Sequence, residues 1–175
     1  EDINFSGDTL NQGVLSYIDY LGIYRVSGAY IYIDDFYFCD LTGGFNDDFL
    51  GDVVIESLFP NGNGNSSQFD GSDGNQVDNY LLVDEVYPDD DTTYIESLTP
   101  GDIDSFVYAN LSETPLTVHG VQVVTTARLP DNQNRTIKNL VRVSSTNYEQ
   151  QTHILTNAYG FYRDMIEENP NTTSA

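Results

Sequence analysis

From Asn46 to Ser97 the chain is a run of short strand-like pieces set between aspartate-rich and glycine-rich punctuation. Asp47-Asp48-Phe49-Leu50-Gly51-Asp52 leads into Val53-Val54-Ile55-Glu56-Ser57-Leu58, and Phe59-Pro60-Asn61-Gly62-Asn63-Gly64-Asn65 turns the chain. Tyr80-Leu81-Leu82-Val83-Asp84-Glu85 then precedes Pro88-Asp89-Asp90-Asp91-Thr92-Thr93-Tyr94-Ile95-Glu96-Ser97. Apolar runs this short, with turn residues between them, are too brief for packed helices and suit an all-β module that meets its surroundings through loops.

The flanking sequence fits the same class. Gly13–Tyr20, Gly22–Val26 and Tyr30–Cys39 read as strands. In the last of these Tyr30, Tyr32, Phe36 and Phe38 share one face while Ile31, Ile33 and Tyr37 share the other, so both faces require cover. Leu41-Thr42-Gly43-Gly44-Phe45-Asn46 reads as a connection, which sets a domain boundary between residues 1–45 and 46–175. Downstream, Leu116–Ala127 and Arg135–Ser144 read as strands joined in a hairpin by Leu129-Pro130-Asp131-Asn132-Gln133-Asn134. Ile154–Ala158 and Phe161–Ile166 continue the meander, the second with a short helix as its alternative because Tyr162, Met165 and Ile166 share helical spacing. Asn61–Asn79, with its glycines and asparagines, reads as a long exposed loop, and no repeat of fixed period stands out.

Charge restricts the partners. Six basic residues against 28 acidic ones give a formal charge of −22, which repels phosphate backbones and anionic bilayers, so nucleic acid and membrane insertion are not expected. No window approaches the roughly 18 apolar residues of a spanning helix. The bases are uneven: Arg25 is the only one among the first hundred residues, whereas Arg128, Arg135, Lys138 and Arg142 crowd together. Such a pole suits solvated strand ends, or contact with an acidic neighbour such as a second copy, head to tail or about a threefold axis. The chain starts at Glu1, without a methionine, and reads as a mature, cleaved or partial piece.

Chemical motifs are few. Cys39 is the sole cysteine, which rules out an intrachain disulfide and a thiolate metal cage, and its aromatic surroundings suit a small buried hydrophobe. Calcium is the candidate cofactor, because hard cations need several oxygen ligands and Asp47, Asp48, Asp52, Asp89, Asp90 and Asp91 offer them. The alternative for these six is turn formation and solvation. Asp70-Gly71-Ser72-Asp73-Gly74-Asn75 and Asn61-x-Asn63-x-Asn65 lack the full calcium-loop pattern. A glycosidase needs two carboxyl groups across a bond, and neighbours such as Asp84 and Glu85 point to opposite strand faces. His119 and His153 have no metal-ligand spacing and read as ordinary strand residues. Nucleophile-elbow and nucleotide-loop motifs are lacking, so no catalytic residue is assigned. Asn4, Asn65, Asn110, Asn134 and Asn171 begin glycosylation sequons, which chance supplies readily in such a sequence.

Asp34-Asp35-Phe36-Tyr37-Phe38-Cys39-Asp40, Asn46–Asp52, Leu58-Phe59-Pro60-Asn61-Gly62 and Asp78–Glu85 followed by Pro88–Tyr94 together resemble tailed-bacteriophage virion structural proteins. The resemblance spans roughly Tyr30 to Asn171. It implies that residues 1–45 are terminal strands of a concanavalin A-like, laminin-G-type jelly roll and that residues 46–175 form a second antiparallel β-sandwich. It further implies a non-enzymatic outer capsid decoration, fibre or tail-appendage protein at the virion surface. Its partners would be copies of itself, as a trimer for example, together with other virion proteins and host surface polysaccharide. Tyr17, Tyr20, Tyr24 and Tyr32 are candidates for stacking on sugar rings, with core packing as the alternative. Two other roles are kept: a carbohydrate-binding module of a larger secreted or cell-surface bacterial protein, and, behind it, a polysaccharide depolymerase.

Overall fold

A computed structural model of the chain describes residues 32, 34–37, 44–131 and 133–172. The chain divides into two units, Glu1–Phe36 and Tyr37–Ala175. In the first, Tyr32 is exposed and the Asp35 N–H donates to Asp34 Oδ1 at 3.0 Å. The strands expected at Gly13–Tyr20 and Gly22–Val26, most of Tyr30–Cys39, and Cys39 itself lie outside the described residues.

The second unit is all-β and antiparallel. Among the described residues its strands are β1 (Pro60–Ser67), β2 (Asp70–Gly71), β3 (Ile95–Glu96), β4 (Asp104–Tyr108), β5 (Val121–Ala127), β6 (Thr136–Val143), β7 (Thr146–Ile154) and β8 (Gly160–Ile166). A 3₁₀ turn, Asn79–Leu82, lies between β2 and β3.

Regular alternation builds the C-terminal half. Along β8, Tyr162, Asp164 and Ile166 turn inward while Phe161, Arg163 and Met165 face solvent, the period-2 pattern of a strand covered on one side. β8 pairs with β5 without irregularity, from Val121↔Ile166 to Ala127↔Gly160. β6 pairs with β7 from Thr136↔Ile154 to Val143↔Thr146. Side chains of β6 and β7 reach across to β5 and β8, so the two ladders face each other as a small sandwich. Leu129, 4% exposed, is the buried apolar side chain among the described residues. Its N–H donates to the Thr156 carbonyl at 2.8 Å, and the Leu155 N–H donates to Arg135 at 3.0 Å.

The N-terminal half repeats this plan with shorter pieces. β1 and β4 pair with each other, Pro60↔Tyr108 to Ser67↔Asp104, with two irregularities, and β2 and β3, which lie between them in the sequence, pair at Asp70↔Glu96 and Gly71↔Ile95. In both halves, then, the first strand pairs with the last, and the two strands between them in the sequence pair with each other. The likeness between the halves lies in the order of pairing and is not a sequence repeat of fixed period.

Several expected elements also change. Asn61–Asn79 is not one loop, for it contains β1 and β2. Its glycines serve close approach: a Cβ on Gly64 would lie 2.5 Å from Ser105 Oγ and one on Gly62 2.8 Å from Val107. Val53–Leu58 pairs in no ladder, and Tyr80–Glu85 is turned by Asp78, whose φ of 59° ends extension before the 3₁₀ turn. The hairpin expected between β5 and β6 is a crossing from one sheet to the other, drawn inward by Leu129. The true hairpin is β6–β7, turned by Ser144 and Ser145. Phe161–Ile166 lies in a strand and not in a helix.

Candidate functional site

At the centre of the C-terminal sandwich, where apolar packing is the usual filling, four strands meet through polar groups. Asn139 on β6 is 4% exposed and Asp164 on β8 is 5% exposed. The Asn139 amide donates to Asp164 Oδ2 at 2.7 Å and to the Tyr162 carbonyl at 3.2 Å, while its oxygen accepts from Thr125 Oγ1 of β5 at 2.6 Å. His153 of β7 places Nε2 3.0 Å from the same Asp164 oxygen, and its ring lies 5.5 Å from that of Tyr162 at 58°.

A bulge allows this. Lys138 pairs with Thr152 and Leu140 with Glu149, so Gln150 and Gln151 together oppose Asn139. The extra residue on β7 bends the ladder at the level of the buried amide, the usual effect of a bulge.

Burial pushes the Asp164 carboxyl up, but hydrogen bonds from His153 and Asn139 and the attraction of the imidazole outweigh it, so the group sits below the usual carboxylate range. The ion is stable because donors replace the water it lost. An aspartate–histidine pair is also the orienting half of a hydrolytic triad. Here Thr125 Oγ1 is spent on Asn139, and among the described residues the His153 ring nitrogens hydrogen-bond only to Asp164. The arrangement therefore works as a polar pin that fixes the register of two sheets.

The N-terminal half carries a related pin. Asn79 is fully buried, its amide donating to the Phe69 carbonyl at 2.9 Å and to Asp104 Oδ2 at 2.6 Å. The other Asp104 oxygen accepts from the backbone N–H groups of Gln68 and Phe69 at 2.5 and 3.1 Å. Asparagine and aspartate stand 25 residues apart in both pins. Asn79 Oδ1, however, has no partner.

The expected calcium ligands are not gathered. Asp91 Oδ1 accepts from Arg128 Nη2 at 2.6 Å, from Arg128 Nε at 3.1 Å and from the Tyr159 hydroxyl at 2.7 Å, while the guanidinium lies 5.2 Å from the Tyr159 ring centre. The hydrogen bonds from Arg128 and Tyr159 hold the Asp91 carboxyl below its ordinary value. Asp89 accepts from the Thr93 N–H at 3.2 Å and from its hydroxyl at 3.0 Å, and Asp48 caps the Phe49 N–H at 2.7 Å. Asp47, Asp52 and Asp90 are exposed. Among the described residues no three acidic, histidine or cysteine side chains come together as a metal site. His119 lies 3.3 Å from the Asn46 amide oxygen, whereas His153 proves to be part of the pin.

The outward side of β5–β8 is different in character. Phe161 and Met165 are each 57% exposed and Val124 is 46% exposed. Register sets Val124 opposite Arg163, Gln122 opposite Met165 and Thr126 opposite Phe161. The Arg163 guanidinium lies 5.0 Å over the Phe161 ring and has neither a hydrogen bond nor an ion pair among the described residues. Aromatic, methionine and arginine side chains sharing one patch form the composition typical of interface centres.

Sequence reading named neither pin nor patch. The signal for the first was a polar residue at inward parity, Asn139 among Ile137, Val141 and Val143, and Asp164 between Tyr162 and Ile166. Comparison with protein-family models, curated proteins and solved structures finds no match for the chain.

Proposed function

We propose that this chain is a self-assembling structural protein of a phage particle, an outer decoration, fibre or tail-appendage component that works by docking and carries out no chemistry. One observation carries the reading: the β5–β8 ladder turns Val124, Phe161 and Met165 outward while the interior beneath it is pinned by polar groups. A small β-module gains the apolar burial it lacks alone by covering such a face in an assembly. The resemblance of Asp78–Glu85 and Pro88–Tyr94 to virion proteins supplies the setting.

Host glycan contact belongs to the same proposal. An open hollow of about 580 Å³ runs along Leu58, Asn110, Leu111, Ser112 and Glu113, its wall held by Glu56, whose carboxylate accepts from the Ser112 N–H at 3.0 Å and hydroxyl at 3.1 Å. High-resolution electron microscopy of purified particles tests the leading reading, and side-chain density for this chain in stoichiometric copies is expected. Absence from particles, combined with binding of the isolated chain to a glycan array, would instead establish the carbohydrate-binding module. Release of new reducing ends from host polysaccharide would establish a depolymerase.

A further inference from the structure

The two halves share a plan but not a charge. Between Pro60 and Tyr108 the chain has 11 acidic residues and no lysine or arginine; between Val121 and Ile166 it has three acidic and five basic ones. Most of those bases are already engaged: Arg128 with Asp91, Arg135 with Asp131, Lys138 with Glu149 and Arg142 with Asn147. Arg163 stands apart from them in the middle of the exposed β5–β8 face.

The acidic half presents a complementary feature. In Asp84-Glu85-Val86-Tyr87-Pro88-Asp89-Asp90, Val86 is 64% and Tyr87 is 83% exposed. The carboxylates of Asp84 and Asp90, which flank them, make no hydrogen bond or ion pair among the described residues, whereas Glu85 and Asp89 are both held by Thr93. Two apolar side chains between free acids match an apolar face with a free arginine at its centre.

We propose that the outer face of β5–β8 docks the Asp84–Asp90 loop of a second copy, with Arg163 meeting the loop's carboxylates and Val86 and Tyr87 packing on Val124, Phe161 and Met165. The inference rests on the self-assembly proposed above. A face-to-face pairing of two β5–β8 ladders is disfavoured, because it brings Arg163 toward its own copy. Acidic half on basic half is a head-to-tail contact, which closes into a ring such as a trimer or runs on as a filament.

Sedimentation velocity on the full chain, with circular dichroism to verify folding, tests this. Wild type is expected to associate, more weakly as salt rises. Arg163→Glu and the double change Asp84→Lys with Asp90→Lys should each weaken association about tenfold or more, and combining all three should restore part of it. A folded Arg163→Glu chain that associates like wild type overturns the docking surface and leaves self-assembly standing. Wild type that stays monomeric, with all variants alike, overturns the self-assembly reading itself and assigns the face to a different protein or to none.

Discussion

The halves spanning residues 60–108 and 121–166 share a nested strand plan and an asparagine–aspartate pin, yet they complete the pin differently. In the C-terminal half every partner is a side chain or carbonyl aimed inward: Thr125 satisfies the Asn139 oxygen and His153 shares Asp164 with the Asn139 amide. In the N-terminal half Asp104 is held by two backbone N–H groups at a chain corner, and the buried Asn79 oxygen is left alone. The first arrangement locks two ladders at their centre, one of them bulged at that level; the second ties a loop to a strand. A buried polar group specifies structure only as far as its partners are present, since an unmet one costs about 1–3 kcal/mol.

The largest expected effect separates the two pins. Asp164→Ala leaves the Asn139 amide and the imidazole without their acceptor inside the sandwich, and a loss of about 3–5 kcal/mol in unfolding free energy is expected. Asp104 is only half-buried, so Asp104→Ala returns its N–H donors partly to water and should lose about 1–3 kcal/mol. Urea titration followed by circular dichroism measures both. Equal losses, or a reversed order, would break the distinction between a central pin and a corner tie.

Acid sharpens the same contrast. The folded pKa of Asp164 is depressed below its unfolded value, so its contribution is fully present above about pH 5 and is lost as pH falls past 3.8 toward the folded value. Asp91 and Asp131 shift the same way through their arginine hydrogen bonds but sit at the surface, where screening weakens such pairs. Asp164→Asn should therefore flatten the decline of stability between pH 5 and pH 3 more than Asp91→Asn does. An unchanged slope in Asp164→Asn would mean that the carboxylate is already neutral in the fold.

A smaller effect of opposite sign belongs to the C-terminal half alone. Its inner hairpin turns through Ser144 and Ser145 at φ of 48° and 76°, the left-handed region that a two-residue turn requires and that serine adopts at a cost. Replacing the pair by Asn-Gly should stabilise the chain by about 0.5–1 kcal/mol, read as a raised thermal midpoint. A lowered midpoint would show that the Ser144 hydroxyl, 3.5 Å from the Asn171 amide, matters more than the turn.

The apolar pattern of Ile137–Val143 is sufficient to place β6, because a strand's period is a local property, whereas Phe161–Ile166 allows a short helix as well until its pairing with β5 is known. Partner choice was not local. β5 could be read as pairing with the next strand, yet it pairs with β8, with Leu129 buried on the crossing and polar contacts spanning the sandwich. β1 was hidden for a different reason. Its asparagines and glycines look like turn residues, yet the glycines are there to let β1 lie against Ser105 and Val107, a demand that exists only once β4 is in place. The pins were hidden likewise: an inward asparagine reads as an interruption of the pattern until the aspartate 25 residues on is seen to meet it.

The smallest effect concerns what joins the halves. Asp91 comes from the loop before β3, Arg128 follows β5 and Tyr159 precedes β8, so one carboxylate oxygen of the N-terminal half accepts from three donors of the C-terminal half. Asp91 is well exposed and Arg128 partly so, which keeps the clamp's contribution to total stability slight. Its consequence should lie in cooperativity. With Asp91→Asn the single unfolding transition should broaden or divide, the N-terminal half melting first because its pin is incomplete. Tyr159→Phe, which removes one donor but keeps the ring beside the guanidinium 5.2 Å away, should show less of this than Arg128→Ala. Hydrogen exchange resolved by peptide reads the order directly. Protection lost equally in both halves of the Asp91→Asn chain would mean that the clamp is ornamental and that the halves are coupled by packing elsewhere.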